Sequence, residues 1–218
     1  MARQQGKKEQ KRKSVSGLIF CEDENDAEAL ANLARAIRPA LPPVTYCRKP
    51  LVLVRDRKTA EDRKRNAAGI QAVVRARQQI VDVAFVIAHQ DCDAVEPAHE
   101  SLEQLIEAEL AAQGVPNVIP VAPAWEIEAW WYLWPDAVAS VNSKWRRLNR
   151  RGNHGMLANA KEELRRDLRS SGARDYEESD SRRISKAVLL AGVVENKQGS
   201  SSSFESFRER VRNLELKS

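Results

Sequence analysis

The chain has 218 residues, of which 42% are hydrophobic and 31% are charged, and its formal net charge is +5. This length suits one domain with an extension, and no apolar run approaches the roughly 18 residues that a membrane span needs. The first residues lack the apolar stretch of a secretory signal, and the three cysteines lack the Cys-x-x-Cys spacing of a zinc knuckle. We therefore expect a reduced, cytoplasmic protein that has no membrane partner.

The excess positive charge lies in the first segment of the chain. Residues 1–16 hold six basic side chains and one acid, so they carry +5 and leave 30 basic and 30 acidic residues in the remainder. This composition predicts a disordered basic arm. The arm could add salt-sensitive affinity for phosphate backbones, or it could be a solvated tail.

Short apolar runs alternate with amphipathic stretches along residues 17–135. This alternation is typical of strands and helices arranged around a mostly parallel sheet, so it predicts an α/β fold. The predicted strands are 17–21, 44–47, 51–54, 81–88 and 117–121. The predicted helices are 25–38, 59–79, 97–113 and 125–134. The first helix stops before Pro39, and the third ends at Gly114, a residue favoured just past a helix end.

The alternation of apolar runs with amphipathic stretches ends after Pro135. The pattern of residues 136–218 predicts a helical extension. Basic helices are predicted over 137–151 and 157–170, and the one strand-like run in this part is 187–194. A final amphipathic helix is predicted over 204–214, where apolar residues recur at helical spacing.

Acidic side chains follow two of the predicted strands. Glu22 comes directly after the first, and Asp91 and Asp93 follow the strand 81–88 by a few residues. Ligands of open parallel sheets bind outside the carboxyl ends of the strands, so these acids should converge on one crevice. Carboxylates that close together repel unless a cation lies between them, and their oxygens suit Mg²⁺ or Mn²⁺. In an extended segment, both aspartates would point the same way.

Two segments resemble the motifs of Toprim domains. GLIFCEDENDAEAL is similar to the first motif, an apolar strand that ends in Glu22 and is followed four residues later by Asp26. AFVIAHQDCDA is similar to the second motif, a strand that ends in Asp-x-Asp. The chain has Asp23 where the first motif has glycine. The resemblance implies a Toprim-like Rossmann-type core over 17–135, with a mostly parallel four-stranded sheet flanked by helices.

A third segment, PVAPAWEIEAWWYLWPD, is similar to a Pro-x-x-Glu-x-Glu-x-Trp segment of one branch of Toprim-like proteins. These proteins are often encoded beside ABC-type or AAA ATPases in bacterial defence islands. Their fold resembles that of the nuclease half of the overcoming-lysogenization-defect proteins. Residues 176–180 and the segment SSSFESF also resemble closing segments of that branch, so the resemblance spans residues 17 to 212.

The resemblance implies a role for each acid. Glu22 would act as the general acid or base, and Asp91 and Asp93 would bind magnesium, or manganese in its place. A second metal ion could be held by Asp26 together with Glu126 or Glu128. These two glutamates lie two residues apart and diverge on a helix, so only one is expected to face the site.

Other side chains have two interpretations each. A group of basic residues could form a track that binds phosphates or a solvated helix face. These residues are Lys144, Arg146, Arg147, Arg150 and Arg151, and the resemblance adds Lys186. Trp130 and Trp134 lie four residues apart, which favours a place in the core over stacking on bases. His89 and His154 show no metal-ligand spacing, so we expect structural roles for them.

These features predict a metal-dependent Toprim nuclease that hydrolyses phosphodiester bonds in DNA or RNA. The resemblance implies that it is the effector of an anti-phage defence module. The resemblance also implies a partner ATPase of the ABC or AAA type, and the absence of a Walker A glycine loop from this sequence supports an external ATPase if ATP is needed. The alternative is a non-catalytic Toprim-like subunit that binds nucleic acid or assembles with a partner, and a primase-like or nucleotidyl-hydrolysing domain is a third hypothesis. Each could act as a homo-oligomer.

Overall fold

A computed structural model describes residues 13–51 and 59–216. Residues 1–12 of the predicted basic arm and residues 52–54 of one predicted strand lie outside these ranges. The first strand begins at Val15, two residues earlier than predicted, because it pairs with neighbouring strands along its length.

The described residues form an α/β fold, as predicted. The strands are β1 Val15–Phe20, β2 Val44–Cys47, β3 Asp82–His89 and β4 Val118–Val121. The helices are α1 Glu24–Ile37, α2 Ala60–Gln78, α3 Ala98–Ala112, α4 Glu128–Trp131, α5 Pro135–Val141, α6 Ala160–Leu168, α7 Ser179–Ala191 and α8 Ser202–Arg212. A short 3₁₀ helix covers His154–Met156.

The four strands form one parallel sheet in the order β2-β1-β3-β4, which is a Rossmann-like arrangement. Side chains alternate across the sheet: Leu18 and Phe20 pack with α2 and α3, whereas Ile19 and Cys21 face α1 and the C-terminal helices. The chain runs from β1 to β2 on one side and then returns to β3 on the other. The switch point where such sheets bind ligands therefore lies between the carboxyl ends of β1 and β3.

The C-terminal helices share the core of the sheet. Helix α7 packs against α1 and α5, and α8 packs against β4 and α1. Trp130 stacks on Phe207 with 5.6 Å between ring centroids and meets the edge of Phe204 at 5.4 Å. Trp130 is fully buried and Trp134 is 2% exposed, so the prediction that both belong to the core is confirmed.

The predicted helix over 137–151 is wrong beyond Val141. Asn142 is extended, with φ −150, and residues 142–151 contain no helix. Two contacts hold this path: Trp145 Nε1 donates to the carbonyl of Arg174 at 2.7 Å, and the Arg146 amide donates to the carbonyl of Leu168 at 3.0 Å. Tertiary anchoring therefore overrides the helical composition of this basic segment.

The predicted strand over 187–194 is also wrong, because its first five residues belong to α7. Ile184 and Val188 lie four residues apart and are both buried, which gives this run one apolar helical face. Gly192 ends the helix with φ 65, the left-handed conformation that glycine adopts readily.

A buried carboxylate ties the C-terminal segment to the loop before α3. Glu96 accepts hydrogen bonds from Ser201 Oγ at 2.9 Å, from the Ser203 amide at 3.0 Å and from Asn153 Nδ2 at 2.9 Å. Burial works against its charge, but these donors outweigh burial and lower the pKa of Glu96. A Cβ atom at Gly155 would overlap the Glu96 carboxyl group, so glycine is required there.

We predict that Glu96→Ala lowers the free energy of unfolding by about 3 kcal/mol, because it leaves several buried donors without an acceptor. Urea unfolding at pH 7 measures this loss. Glu100→Ala is the matched control, since Glu100 is an exposed acid four residues further along the chain, in the first turn of α3. Equal stability of the two variants would contradict the proposed tie.

Candidate functional site

A pocket of about 180 Å³ lies where β1 and β3 end. Six of its nine lining residues are acids, which makes the pocket strongly negative. The lining residues are Glu22, Asp23, Asp26, His89, Gln90, Asp91, Glu128, Lys161 and Glu178. The sheet therefore brings together four of the predicted site acids, namely Glu22, Asp26, Asp91 and Glu128.

The turn between β1 and α1 supplies Glu22 and Asp26. Asp23 caps the helix by accepting a hydrogen bond from the Asn25 amide at 2.6 Å. Its φ is −117, which is extended backbone, so the position does not need the glycine of the Toprim motif. Tyr46 donates its hydroxyl to the carbonyl of Glu22 at 3.2 Å. The turn is thus fixed from both sides, and Asp26 lies in the first helical turn, where the helix dipole favours an acid.

The end of β3 supplies His89 and Asp91. His89 is 5% exposed, and its Nδ1 atom lies 3.0 Å from Cys21 Sγ, while its Nε2 atom lies 3.4 Å from Asp91 Oδ1. Both Nε2 and Oδ1 are buried and lack a hydrogen-bond partner among the described residues. The sequence predicted a structural role for His89, but the structure places this side chain in the pocket wall.

Asp93 lies apart from Asp91. Its backbone has φ 52, its side chain is exposed, and it is not part of the pocket wall. The Asp93 amide donates to the carbonyl of Trp125 at 3.1 Å, and the Trp125 amide donates to the carbonyl of Ala94 at 2.7 Å. The expectation that both aspartates point the same way is wrong, because this pairing of loops puts Asp93 in a left-handed conformation.

The loop after β4 supplies two glutamates with different surroundings. The predicted helix over 125–134 is reduced to α4, because Trp125 is left-handed with φ 60. Glu128 is 3% exposed, faces the pocket and accepts a hydrogen bond from the Tyr176 hydroxyl at 3.1 Å. Glu126 lies outside the wall and pairs with Lys161 at 2.9 Å.

Lys161 is a site residue that the sequence did not reveal. It lies in the first turn of α6, and its ammonium also pairs with Glu178 at 2.9 Å. Nothing in its local sequence distinguishes it from the other basic residues of this segment. Its place in the pocket depends on how α6 packs near α4, which only the folded chain defines.

The acids of the pocket cannot all stay ionised near neutral pH. Burial, with a contribution from the nearby Asp91 carboxylate, raises the pKa of Asp26 to about 7 and that of Glu128 to about 8. Burial disfavours the charge of Lys161, but Glu128, Glu178 and Glu126 outweigh it and raise the pKa of the ammonium. Binding of protons or of further cations therefore stabilises the pocket.

The side chains around His89 fit a divalent cation. Ligand atoms of Cys21, Asp26 and His89 all lie within 4.8 Å of one another. Carboxylate oxygens suit Mg²⁺ and Mn²⁺, while imidazole and thiol ligands suit softer metals such as Zn²⁺. The unpartnered Nε2 of His89 and Oδ1 of Asp91 are further atoms for which a cation or its water would provide a partner.

The predicted nucleic-acid residues lie on two surfaces outside the pocket wall. In the segment 144–151, Arg147 pairs with an exposed aspartate, and Arg150 pairs with Glu163 at 2.9 Å and Asp167 at 3.0 Å. Lys144, Arg146 and Arg151 are exposed. Lys186 instead lines a groove between α1 and α7, together with Arg35, Arg182 and Arg183. Both helices begin beside the pocket, because Asp26 and Glu178 contribute to its wall.

Comparison with known proteins identifies no relative of this chain. No protein-family model, no curated protein and no solved structure matches the chain. Over residues 13–51 and 59–216, no helix combines the length and the apolar character that crossing a bilayer requires.

We predict that Asp26→Asn stabilises the metal-free protein at pH 8 more than at pH 5. The folded pKa of Asp26 is about 7, above its ordinary 3.8, so its contribution to stability is lost as pH rises towards 7. The advantage of the neutral amide should grow by on the order of 2 kcal/mol across this range. Urea unfolding in a chelator measures it. The exposed Glu209→Gln serves as the control, and an advantage that does not change with pH would contradict the prediction.

Proposed function

We propose that this chain is a metal-dependent nuclease of the Toprim type that hydrolyses phosphodiester bonds in DNA or RNA. The observation that carries the proposal is the group of six acids that line one pocket where β1 and β3 end. The Toprim-like motifs supply three of these acids, Glu22, Asp26 and Asp91, so the resemblance and the geometry support the same site.

Asp26 and Asp91 are the residues proposed to hold Mg²⁺ or Mn²⁺, since their carboxylates lie in the wall beside His89. When bound, such an ion offsets the negative charge of a phosphate and lowers the pKa of a water. Asp93 keeps its predicted metal role only if its loop rearranges, because its exposed side chain lies outside this wall.

The remaining wall residues have roles that follow from their chemistry. Glu22 is proposed to take the proton from the attacking water, as the resemblance implies. The His89 imidazole, 3.4 Å from Asp91, is proposed to hold that carboxylate in place by contact rather than by a hydrogen bond. Lys161 contributes a fixed positive charge where negative charge develops on the phosphate.

The alternative is a non-catalytic Toprim-like subunit, and the sequence feature that would favour it is Asp23 in place of the motif glycine. Asp23 has extended backbone and caps α1, so this replacement leaves the turn without strain. That observation favours the enzyme over the binding subunit. The proposed ABC-type or AAA ATPase partner, the anti-phage role and the cytoplasmic location rest on the sequence alone.

We predict that Asp91→Ala lowers metal-dependent cleavage of DNA or RNA by at least about 100-fold, because it removes a proposed metal ligand. Thermal stability should change little, since the same substitution relieves repulsion in the metal-free pocket. Cleavage of single-stranded DNA, duplex DNA and RNA with Mn²⁺ measures the loss. Asp136→Ala, at an exposed aspartate outside the pocket, is the control. Full activity of Asp91→Ala would refute the mechanism.

We predict that Lys186→Glu weakens nucleic-acid binding and lowers the salt slope of log K by about 1, while Lys144→Glu has a smaller effect. The two variants change the net charge equally. The groove of Lys186 follows two helices that begin at the pocket, whereas the segment 144–151 does not line it. Binding of a labelled oligonucleotide across a salt series measures both slopes. A larger effect at Lys144 would assign binding to the segment 144–151 instead.

A further inference from the structure

Lys161 brings a positive charge into a pocket that otherwise consists mainly of acids. Its ammonium lies 2.9 Å from Glu126 Oε2 and 2.9 Å from Glu178 Oε1, and it shares the pocket wall with Glu128. These carboxylates come from separate parts of the chain: the loop after β4, the start of α4 and the residue before α7. The ammonium therefore occupies a position where several carboxylates converge.

We infer that the Lys161 ammonium takes the place of a second metal ion, so that the pocket binds a single divalent cation. This inference rests on the proposed function, because it concerns the metal of the same site. Sequence resemblance offered Asp26 with Glu126 or Glu128 as ligands of a second ion. Of these, Glu126 is already paired with the ammonium, and Glu128 interacts electrostatically with it.

The ion pair between Lys161 and Glu126 is sheltered from solvent, whereas the Glu178 side chain is 54% exposed. The Lys161 side chain is 22% exposed and that of Glu126 is 12% exposed, so salt screens this pair less than it would screen a surface pair. A divalent ion entering here would have to displace the ammonium or remain beside a like charge. Both alternatives disfavour a second ion.

The opposite situation holds at His89 and Asp91. Two buried polar atoms there, His89 Nε2 and Asp91 Oδ1, lie 3.4 Å apart and make no hydrogen bond among the described residues. Of the basic residues within 13–51 and 59–216, Lys161 is the one lysine or arginine that lines the pocket. The pocket thus has one set of acids paired with the Lys161 ammonium and another set, Asp26 and Asp91, whose nearest basic group is the His89 imidazole, 3.4 Å from Asp91. This asymmetry is the basis for a count of one ion.

The test is to count the Mn²⁺ ions bound by the full chain, using electron paramagnetic resonance of free Mn²⁺ at pH 8. The wild type is expected to bind one ion per chain, and Lys161→Arg, which keeps the charge, is expected to bind one as well. Lys161→Met vacates three carboxylates and is expected to bind two. Lys64→Met, which removes an exposed lysine of α2 outside the pocket, is the matched control and should bind one.

Each outcome decides between the two proposals. Two ions in the wild type would overturn the role of Lys161 while leaving a metal-dependent nuclease intact, and one ion in a folded Lys161→Met would overturn it too. No bound ion in the wild type would overturn the proposed function itself. If Lys161→Met does not fold, the counts for the wild type and Lys161→Arg decide: one ion in each supports the inference, and two in either overturns it.

Discussion

Repulsion between half-buried carboxylates is the constraint on which this structure depends. The parallel sheet brings the ends of β1 and β3 together, and so it crowds Glu22, Asp26 and Asp91 into one pocket. The helix dipole of α1 and the ammonium of Lys161 offset part of this charge. Burial is the main cause that raises the pKa of Asp26 to about 7 and that of Glu128 to about 8, and neighbouring carboxylates add to it. A pocket in this state favours a divalent cation, and we interpret it as built to hold one.

The C-terminal segment completes the pocket as well as the core. Helix α6 supplies Lys161, the residue before α7 is Glu178, and the buried Tyr176 hydroxyl donates to Glu128. The hydrogen bonds of Glu96 hold the serine-rich loop before α8 against the loop before α3, so the segment has a fixed position. Stability and chemistry are therefore coupled, because the packing that buries the aromatic core also places the Lys161 ammonium beside the acids of the pocket.

The features that could be predicted from the sequence are those with local signals. The apolar run of β3 and the acids after β1 and β3 located the sheet and half of the site, because strand order places the carboxyl ends together. Asp93 was placed wrongly because its left-handed backbone follows from pairing with Trp125 in another loop. Lys161 and the non-helical path of 142–151 were missed for the same reason. Their positions are set by contacts between distant segments, which periodicity does not encode.

The central claim is that this pocket binds a divalent cation between Asp26 and Asp91. Crystals grown with Mn²⁺ and measured at an anomalous-scattering wavelength test it directly, because they locate the ion without relying on a substrate. The account predicts one anomalous peak in the pocket, within about 2.5 Å of carboxylate oxygens from these two residues. A well-ordered pocket with no peak at high Mn²⁺ concentration, or a peak only on the outer surface, would contradict it.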